Sequence, residues 1–180
     1  MPELLTARLR LRPWRDDDLD PLTAMHADPE VMRYIGAGSV RTREETAAWL
    51  TRIRADWAEQ GHGLFAVELR ETGELAGWVG TAVPHFLPEV LPAVEIGWRL
   101  SRPFWGRGIA TEGARAALEH VFGPVGLERI LSVCNVDNTG SEAVMRKLGM
   151  CLDRETVVPS HGARVRVYAM TREEYEKAGG

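Results

Sequence analysis

Small residues at the start of a predicted helix are the first candidates for chemistry. The segment PFWGRGIATEG, residues 103–113, lies between a stretch typical of a strand and one typical of a helix. The first N–H groups of a helix have no intrahelical partner and carry partial positive charge, which favours anionic phosphate. Glycine lets the backbone approach such a ligand closely, because it lacks a Cβ and readily adopts positive φ. Gly106 and Gly108, with the small Ala110, therefore predict a phosphate cradle.

The predicted cradle is a nest of main-chain N–H groups that suits a diphosphate. Arg107 adds a positive charge that can contact the same ligand. The residues assigned to the cradle are Trp105, Gly106, Arg107, Gly108, Ile109, Ala110 and Thr111. Taken alone, the segment also fits a glycine-rich turn that only joins a strand to a helix.

Other phosphate motifs fit the sequence poorly. The mononucleotide loop G-x-x-x-x-G-K-[ST] does not occur. A dinucleotide fingerprint requires a third glycine where Thr111 stands. It also requires an acidic residue at the end of the next strand, whereas Glu128 precedes that strand. The sequence therefore argues against the mononucleotide loop and against dinucleotide binding.

Composition limits the class of protein. The 180 residues carry a formal net charge of −4, which argues against nucleic acid as the main partner. Cys134 and Cys151 have neither metal-ligand spacing nor a disulfide framework, and the histidines form no metal motif, so no metal site is expected. The N-terminus has no apolar leader, and prolines interrupt the most apolar stretch, 75–94. We expect a cytoplasmic protein without a membrane span.

The hydrophobic pattern predicts one α/β domain over residues 1–180, with a mixed sheet and helices on both faces. Thr42 and Glu45 form a capping-box pattern at the start of the clearest helix. A helix beginning near Asp16 is expected to end at Pro29. Strands are predicted at 8–13, 64–69, 75–83, 93–100, 129–134, 150–158 and 164–171, and the other helices at 42–60, 111–122 and 140–149.

Several segments, in order, resemble the GNAT superfamily of N-acetyltransferases. FWGRGIATEG is similar to the YWGKGYATEA form of the branch that acetylates ribosomal-protein N-termini, although Trp105 replaces the usual glutamine or arginine. NVDNTGSEAVMRKLGM resembles the N-x-x-S-x-x-V-x-x-K-x-G-F segment of that branch. VEIGWRL and LLTARLRLRPWRDDDLDPL resemble its central strand and its opening strand and helix. The resemblance covers nearly the whole chain.

The resemblance implies a GNAT fold, in which a sheet of about seven strands splays between its fourth and fifth strands. Those strands are 93–100 and 129–134, and the pantetheine arm of acetyl-CoA is expected to lie between them. Gly97 is interpreted as a bulge that opens the gap. The further cofactor contacts implied are Ile96, Gly97, Trp98, Leu100, Asn135, Asn138 and Ser141. Local turn chemistry is the alternative for the two asparagines.

The implied reaction is direct transfer of acetyl from the CoA thioester to a primary amine in a ternary complex. Glu95 is the candidate base that removes the amine proton, and a paired strand carboxylate is its alternative. The N–H of Trp98 is the candidate donor to the developing oxyanion. Met145 stands where many relatives carry a tyrosine that protonates the thiolate, so Ser141 is the candidate substitute. A helix N-terminal hydrogen bond is the alternative for Ser141.

The acceptor is less defined than the donor. A protein N-terminal α-amine or a small amine is expected, and an amine metabolite or antibiotic is an alternative. A CoA-binding regulatory protein that has lost catalysis also fits, because Met145 replaces the tyrosine. A homodimer is possible in this branch.

Overall fold

Alternating apolar residues build a mixed sheet of eight strands in the computed structural model, which describes residues 1–179. The strands, in the order β1-β2-β3-β4-β5-β6-β8-β7, are antiparallel neighbours except for the parallel pair β5 and β6. They are β1 Leu4–Leu5, β2 Leu9–Arg12, β3 Leu64–Leu69, β4 Leu75–Ala82, β5 Glu95–Leu100, β6 Arg129–Asn135, β7 Cys151–Val157 and β8 Arg164–Thr171.

Helices cover both faces of this sheet, as predicted. They are α1 Leu19–His26, α2 Pro29–Met32, α3 Arg43–Gln60, α4 Ile109–Phe122, α5 Thr139–Lys147 and α6 Arg172–Lys177. On one face, α4 buries Leu118 in a core that includes Leu9 and Ile96. On the other face, Trp49 of α3 packs with Trp78 of β4. Within residues 1–179, no helix has both the length and the apolar character to cross a bilayer.

The capping box predicted for the longest helix is confirmed. The Thr42 hydroxyl accepts from the Glu45 N–H, and the Glu45 carboxylate accepts from the Thr42 N–H. The helix ends at Gly61, which has φ +72° and donates to the Trp57 carbonyl. Both ends of α3 are therefore fixed, which holds its buried face, including Trp49, against the sheet.

The predicted splay between two parallel strands is also confirmed. β5 and β6 share one registered pair, Glu95 opposite Leu131, and the Leu131 N–H donates to the Val94 carbonyl at 3.0 Å. Beyond that pair β6 continues to pair with β8 as far as Asn135, without β5 beside it. A gap therefore opens along the later residues of β5.

Three details differ from the prediction. The register between β4 and β5 is continuous through Gly97, so the predicted bulge there is wrong and the splay arises without it. Pro29 begins α2 instead of ending the first helix, because Asp28 caps the N–H of Glu30 and α1 has already stopped at His26. The sheet also has an eighth strand, the two residues Leu4–Leu5, which is too short to give a readable alternation.

Candidate active site

The loop between β5 and α4 has the conformation that glycine favours. Gly106 has φ +69° and Gly108 has φ +76°, both in the left-handed region. A Cβ at Gly106 would meet nothing within 4 Å, and one at Gly108 would meet only the Arg8 guanidinium, at 3.4 Å. The side of the loop where side chains would project is therefore open, which suits a ligand that approaches the backbone.

Main-chain donors at the start of α4 have no acceptor in the protein. Within residues 1–179, none of the N–H groups from Gly106 to Thr111 donates a hydrogen bond to another residue. The first intrahelical bond runs from Glu112 to the Gly108 carbonyl, at 3.0 Å. These free donors lie at the positive end of a 14-residue helix, so together they form an anion site of the predicted kind.

The predicted cradle residues contribute to this loop in different ways. Arg107 is exposed, with its guanidinium carbon 5.7 Å from the centre of the Phe104 ring. The Ile109 side chain is buried in the core, so Ile109 offers only its N–H to a ligand. Trp105 is 47% exposed, and its indole N–H donates to the Leu100 carbonyl at 2.7 Å.

An ion pair that the sequence did not reveal fixes this loop against the N-terminal segment. Arg8 donates to both oxygens of Glu112 through its backbone and side chain, and its Nη1 donates to the Arg107 carbonyl at 2.9 Å. Thr6 donates a further bond to Glu112, at 2.6 Å. Burial acts against ionisation, but the bonds from Thr6 and Arg8 prevail and hold the pKa of Glu112 below its ordinary value. Residues more than one hundred positions apart therefore position the loop.

Replacing Arg8 by alanine is expected to weaken CoA binding about three- to tenfold, because the loop loses one fixed contact and a nearby positive charge. Arg115→Ala is the matched control. Arg115 lies on the exposed side of α4, the helix that the loop precedes, and donates to the Lys147 carbonyl. Calorimetric titration with CoA measures both variants. An unchanged dissociation constant for Arg8→Ala would show that the loop holds its shape without this pair.

The residues of β5 that were predicted to contact pantetheine differ in the direction of their backbone N–H and C=O groups. The N–H and C=O groups of alternate residues point to opposite sides of a strand. Because the Val94 carbonyl bonds β6, the polar groups of Ile96, Trp98 and Leu100 face the gap, whereas those of Gly97 face β4. The backbone role expected of Gly97 is therefore wrong. The Leu100 carbonyl accepts from the Trp105 indole N–H at 2.7 Å, and the cofactor contact expected of Leu100 stays a prediction.

Glu95 lies where the two strands part. Its carboxylate accepts from the Val133 N–H at 3.3 Å, in place of the β5 carbonyl that a continuing parallel ladder would supply. Burial raises the pKa of Glu95 to about 8, against a smaller lowering by this hydrogen bond. A carboxyl group with a pKa of about 8 at the closed end of a gap suits proton transfer.

The candidate residues after β6 are held by local hydrogen bonds. Asn138 caps α5 by accepting from the Ser141 N–H at 3.1 Å, and Asn135 accepts from the Asp137 N–H at 2.9 Å. Both asparagines therefore use their oxygens in the chain itself, and keep their NH₂ groups for a ligand. The Ser141 hydroxyl has no hydrogen-bond partner within residues 1–179. Met145, one turn later, is fully buried in the core.

A polar cluster on the opposite side of β5 from α4 was missed by the sequence analysis. Arg99 donates to Nε2 of His26 at 3.1 Å, and lies 5.1 Å above the Trp78 ring. Since a guanidinium only donates, His26 carries its proton on Nδ1 and directs it to the Thr46 hydroxyl, 3.2 Å away. Burial, followed by the charges of Arg99 and Arg41, lowers the pKa of His26 to about 3. His26 is therefore a neutral acceptor that orients Arg99.

This cluster is electrostatically incomplete. Burial, assisted by the charge of Arg41, lowers the pKa of Arg99 to about 9. A desolvated cation–π contact contributes about 2 kcal/mol, whereas removing an ion from water costs several kcal/mol. The stacking on Trp78 therefore offsets only part of the cost of burying Arg99. The alternation of side chains along β5 does predict that Arg99 lies on the same strand face as Glu95. No sequence pattern indicates which residues surround Arg99.

Metal chemistry has no visible support among the described residues. Within residues 1–179, no group of three or more histidine, cysteine, aspartate or glutamate side chains could hold a metal ion. Cys134 is buried, and burial raises the pKa of its thiol to about 11, which makes it a poor nucleophile.

Comparison with known proteins agrees with this geometry. Residues 8–151 match the family described as Acetyltransferase (GNAT) domain. The uncharacterized N-acetyltransferase YoaA of Bacillus subtilis is 30% identical over 148 residues, which is 82% of each chain. FsC-acetyl coenzyme A-N(2)-transacetylase of Aspergillus fumigatus is 32% identical over 156 residues, covering 83% of this chain and 65% of that protein.

Solved structures show the same architecture. A GNAT-family acetyltransferase from Bacillus anthracis superposes with a TM-score of 0.80 at 25% identity, over 96% of this chain and 99% of its own. The ribosomal L7/L12 alpha-N-protein acetyltransferase RimL, in complex with coenzyme A, has a TM-score of 0.77 at 19% identity, over 94% of this chain and 98% of its own. The latter likeness concerns the fold alone. By its family match and its relatives, the chain belongs to the GNAT family of acetyltransferases and is an acyltransferase.

Proposed function

We propose that this protein is an acetyl-CoA-dependent N-acetyltransferase that moves acetyl directly to a primary amine while both substrates are bound. The observation that carries the proposal is the row of unpartnered N–H groups from Gly106 to Thr111, placed at the end of the gap between β5 and β6. A diphosphate needs such donors, and an extended arm needs such a gap. The GNAT family uses acetyl-CoA, which has both parts.

The residues present fit this cofactor. The loop N–H groups and Arg107 would hold the diphosphate, and the Ile96 carbonyl with the gap-facing backbone groups of Trp98 would hold the pantetheine arm. The NH₂ groups of Asn135 and Asn138 are further donors near the end of β6. When bound, acetyl-CoA supplies an activated acyl thioester, so the protein has only to bind, orient and move protons.

Glu95 is the proposed base. Its pKa, raised to about 8 by burial, is close to the value of about 8 of a free α-amine and well below the value of about 10.4 of a lysine amine. Proton transfer from an α-amine to Glu95 is then nearly balanced in free energy, whereas transfer from lysine is uphill. This match supports an α-amine, of a protein N-terminus or of a small molecule, as the acceptor.

Ser141 and Trp98 are proposed to stabilise the two negative charges that develop in the reaction, on the departing thiolate and on the thioester oxygen. The Met145 side chain is apolar and buried, so it cannot protonate the departing thiolate. The unpartnered Ser141 hydroxyl is the proposed proton donor in its place. The Trp98 N–H faces the gap and can donate to the thioester oxygen as negative charge develops there. Both roles are predictions that need kinetic tests.

Release of free thiol from acetyl-CoA in the presence of an amine library tests the proposal. We expect amine-dependent release with at least one α-amine, with acetylation of that amine confirmed by mass spectrometry. CoA binding without release on any amine would contradict an enzyme and would favour the regulatory alternative. Tighter binding of NAD than of CoA, judged by thermal stabilisation, would contradict the cofactor assignment.

A cytoplasmic location, a homodimer, a single domain over residues 1–180 and the absence of nucleic-acid or membrane partners stay predictions. The ribosomal-protein branch is also a proposal, because relatives such as YoaA are uncharacterized N-acetyltransferases. An amine metabolite or an antibiotic remains an alternative acceptor for the same chemistry.

A further inference from the structure

Arginines without acidic partners gather on the face of the sheet that Glu95 shares. Within residues 1–179, Arg41, Arg52 and Arg99 form no ion pair with any carboxylate. Most other arginines of the chain do form such pairs, including the buried Arg12, which contacts Asp18. Arg41, Arg52 and Arg99 therefore differ from most arginines of this protein, because they have no carboxylate ion-pair partner.

The unpaired groups in this cluster are all hydrogen-bond donors. Arg41 Nη1, Arg99 Nε and the Trp78 indole N–H are buried and have no acceptor in the protein. The Arg41 guanidinium carbon lies 5.9 Å from the centre of the Trp49 ring, and that ring lies 5.9 Å from the Trp78 ring. Since burying a donor without an acceptor is costly, the missing component is an acceptor, and the surplus of cations indicates an anion.

An open cavity gives a ligand access to Arg41 and Arg52, and Met32 separates it from Arg99. It has a volume of about 520 Å³ and is lined by Arg41 and Arg52 together with Met32, Trp49 and Glu45. Ligand pockets typically measure about 300–1,000 Å³. The Glu45 carboxylate is held by the Thr42 N–H and forms no ion pair with either arginine among the described residues, although its charge favours the ionised form of Arg41. The Met32 sulfur lies 3.6 Å from Arg99 Nη1, so this side chain lies between the cavity and β5.

We propose that Arg41, Arg52 and Arg99 bind a carboxylate or phosphate group of the acceptor, so that the substrate is an amine that also carries an anion. The proposal rests on the proposed acetyltransferase function, and it narrows the class of acceptor. Guanidinium groups suit both anions, because their planar donors match two oxygens at once. The burial of Arg99 is then compensated when the acceptor arrives.

The positions on β5 limit the shape of this acceptor. Glu95 and Arg99 are four residues apart on one strand face, which places their Cα atoms about 13 Å apart. Their long side chains shorten that span without closing it. The anion is therefore separated from the reacting α-amine by several bonds, as in a peptide with an acidic residue near its N-terminus.

Matched pairs of acceptors test the proposal. The pairs are tripeptide amides that end in glutamate or glutamine, in aspartate or asparagine, and in phosphoserine or serine, so that every acceptor carries an α-amine. We expect wild-type protein to prefer the anionic member of at least one pair by roughly 30-fold in kcat/KM. Arg41→Gln and Arg52→Gln should each lower that preference about tenfold, with the rate for the neutral member unchanged within about twofold.

A control variant and a control ligand exclude other causes. Arg43→Gln should keep the preference, since Arg43 is exposed on the same helix and pairs with Asp20. Arg52 is exposed, so Arg52→Gln tests the cluster even if substitutions at the buried positions unfold the protein. If Arg41→Gln weakens binding of CoA but not of 3′-dephospho-CoA, the anion belongs to the cofactor and the proposal is overturned.

Calorimetric titration with the same pairs, in the presence of CoA, measures the anion dependence without turnover. Tighter binding of an anionic member without acetyl transfer would contradict the proposed function and support the arginine site. Acetyl transfer with equal rates and equal binding for both members of every pair would overturn the arginine site alone.

Discussion

Gly108→Trp abolishes measurable CoA binding, with an expected loss of affinity of about 100-fold or more. Gly108 has φ +76° and caps α4, and a Cβ there would lie 3.4 Å from the Arg8 guanidinium, so an indole would crowd both the loop and the arginine that fixes it. Hydrogen bonds to a charged ligand contribute about 1.5–3 kcal/mol each, and the loss of two is sufficient for this effect. Calorimetric titration with CoA provides the measurement.

Gly73→Trp is the matched control for this variant. Gly73 lies in the hairpin between β3 and β4, has φ +75°, and a Cβ there would meet nothing within 4 Å. Both substitutions therefore carry the same backbone strain, of about 1–2 kcal/mol, and should lower the melting temperature similarly. If Gly108→Trp binds CoA as tightly as Gly73→Trp does, the diphosphate lies elsewhere.

Glu95→Gln is expected to lower kcat about 100-fold or more, with little change in CoA affinity, because a general base contributes about 10²–10⁴ in rate. In the wild-type protein the rate should rise with pH and level off above about pH 8, where Glu95 is ionised. The α-amine titrates nearby, so the profile is measured with two acceptors of different amine pKa. If the rate rises with a midpoint near pH 8 for both acceptors, and this rise disappears in Glu95→Gln, the titrating group is the Glu95 carboxylate.

The same substitution is expected to stabilise the protein at alkaline pH. The pKa of Glu95 is raised from 4.5 to about 8 in the folded state, so the folded protein keeps a proton that the unfolded chain releases. Stability from this group is complete below pH 4.5 and is lost as pH rises through about 8. Glutamine has no such loss, so the stability of the variant relative to wild type should rise by on the order of 5 kcal/mol between pH 4.5 and pH 8.

Thermal unfolding from pH 5 to pH 9 measures this gain, which should increase with pH. Glu119→Gln is the control, since Glu119 is an exposed carboxylate of α4. A constant difference between Glu95→Gln and wild type across this range would mean that the carboxyl group is ionised normally in the folded protein. Slow turnover together with high stability would show that the site holds Glu95 at a cost to the fold.

Local patterns in the sequence predict the parts of the site that lie on one element. The capping box of Thr42 and Glu45, the glycines before α4 and the alternation along β5 each depend on neighbours within a few residues. Their physics is the same in any fold that contains a helix start or a strand. For that reason the loop and the strand that carries Glu95 could be predicted, whereas the splay of β5 and β6 was expected only from the resemblance to the GNAT superfamily.

Contacts between distant segments could not be predicted in the same way. Arg8 meets Glu112, and His26 meets Arg99, because the sheet order brings β2 beside α4 and α1 beside β5. Many pairings of the charged residues are compatible with the sequence, and only the assembled fold selects among them. The bulge expected at Gly97 was wrong for a related reason: the gap follows from where β6 leaves β5, and the strand at Gly97 itself stays regular.

The placement of Trp105 gives the protein an internal optical reporter. Its ring is 47% exposed at the mouth of the gap, whereas Trp14, Trp49, Trp57 and Trp78 are each less than 10% exposed. Emission from these four buried indoles should change little when a nucleotide docks, so quenching or a blue shift would originate mainly from Trp105 and from the half-buried Trp98 of β5. Stopped-flow fluorescence of the native chain can thus follow cofactor arrival in real time, without any attached dye.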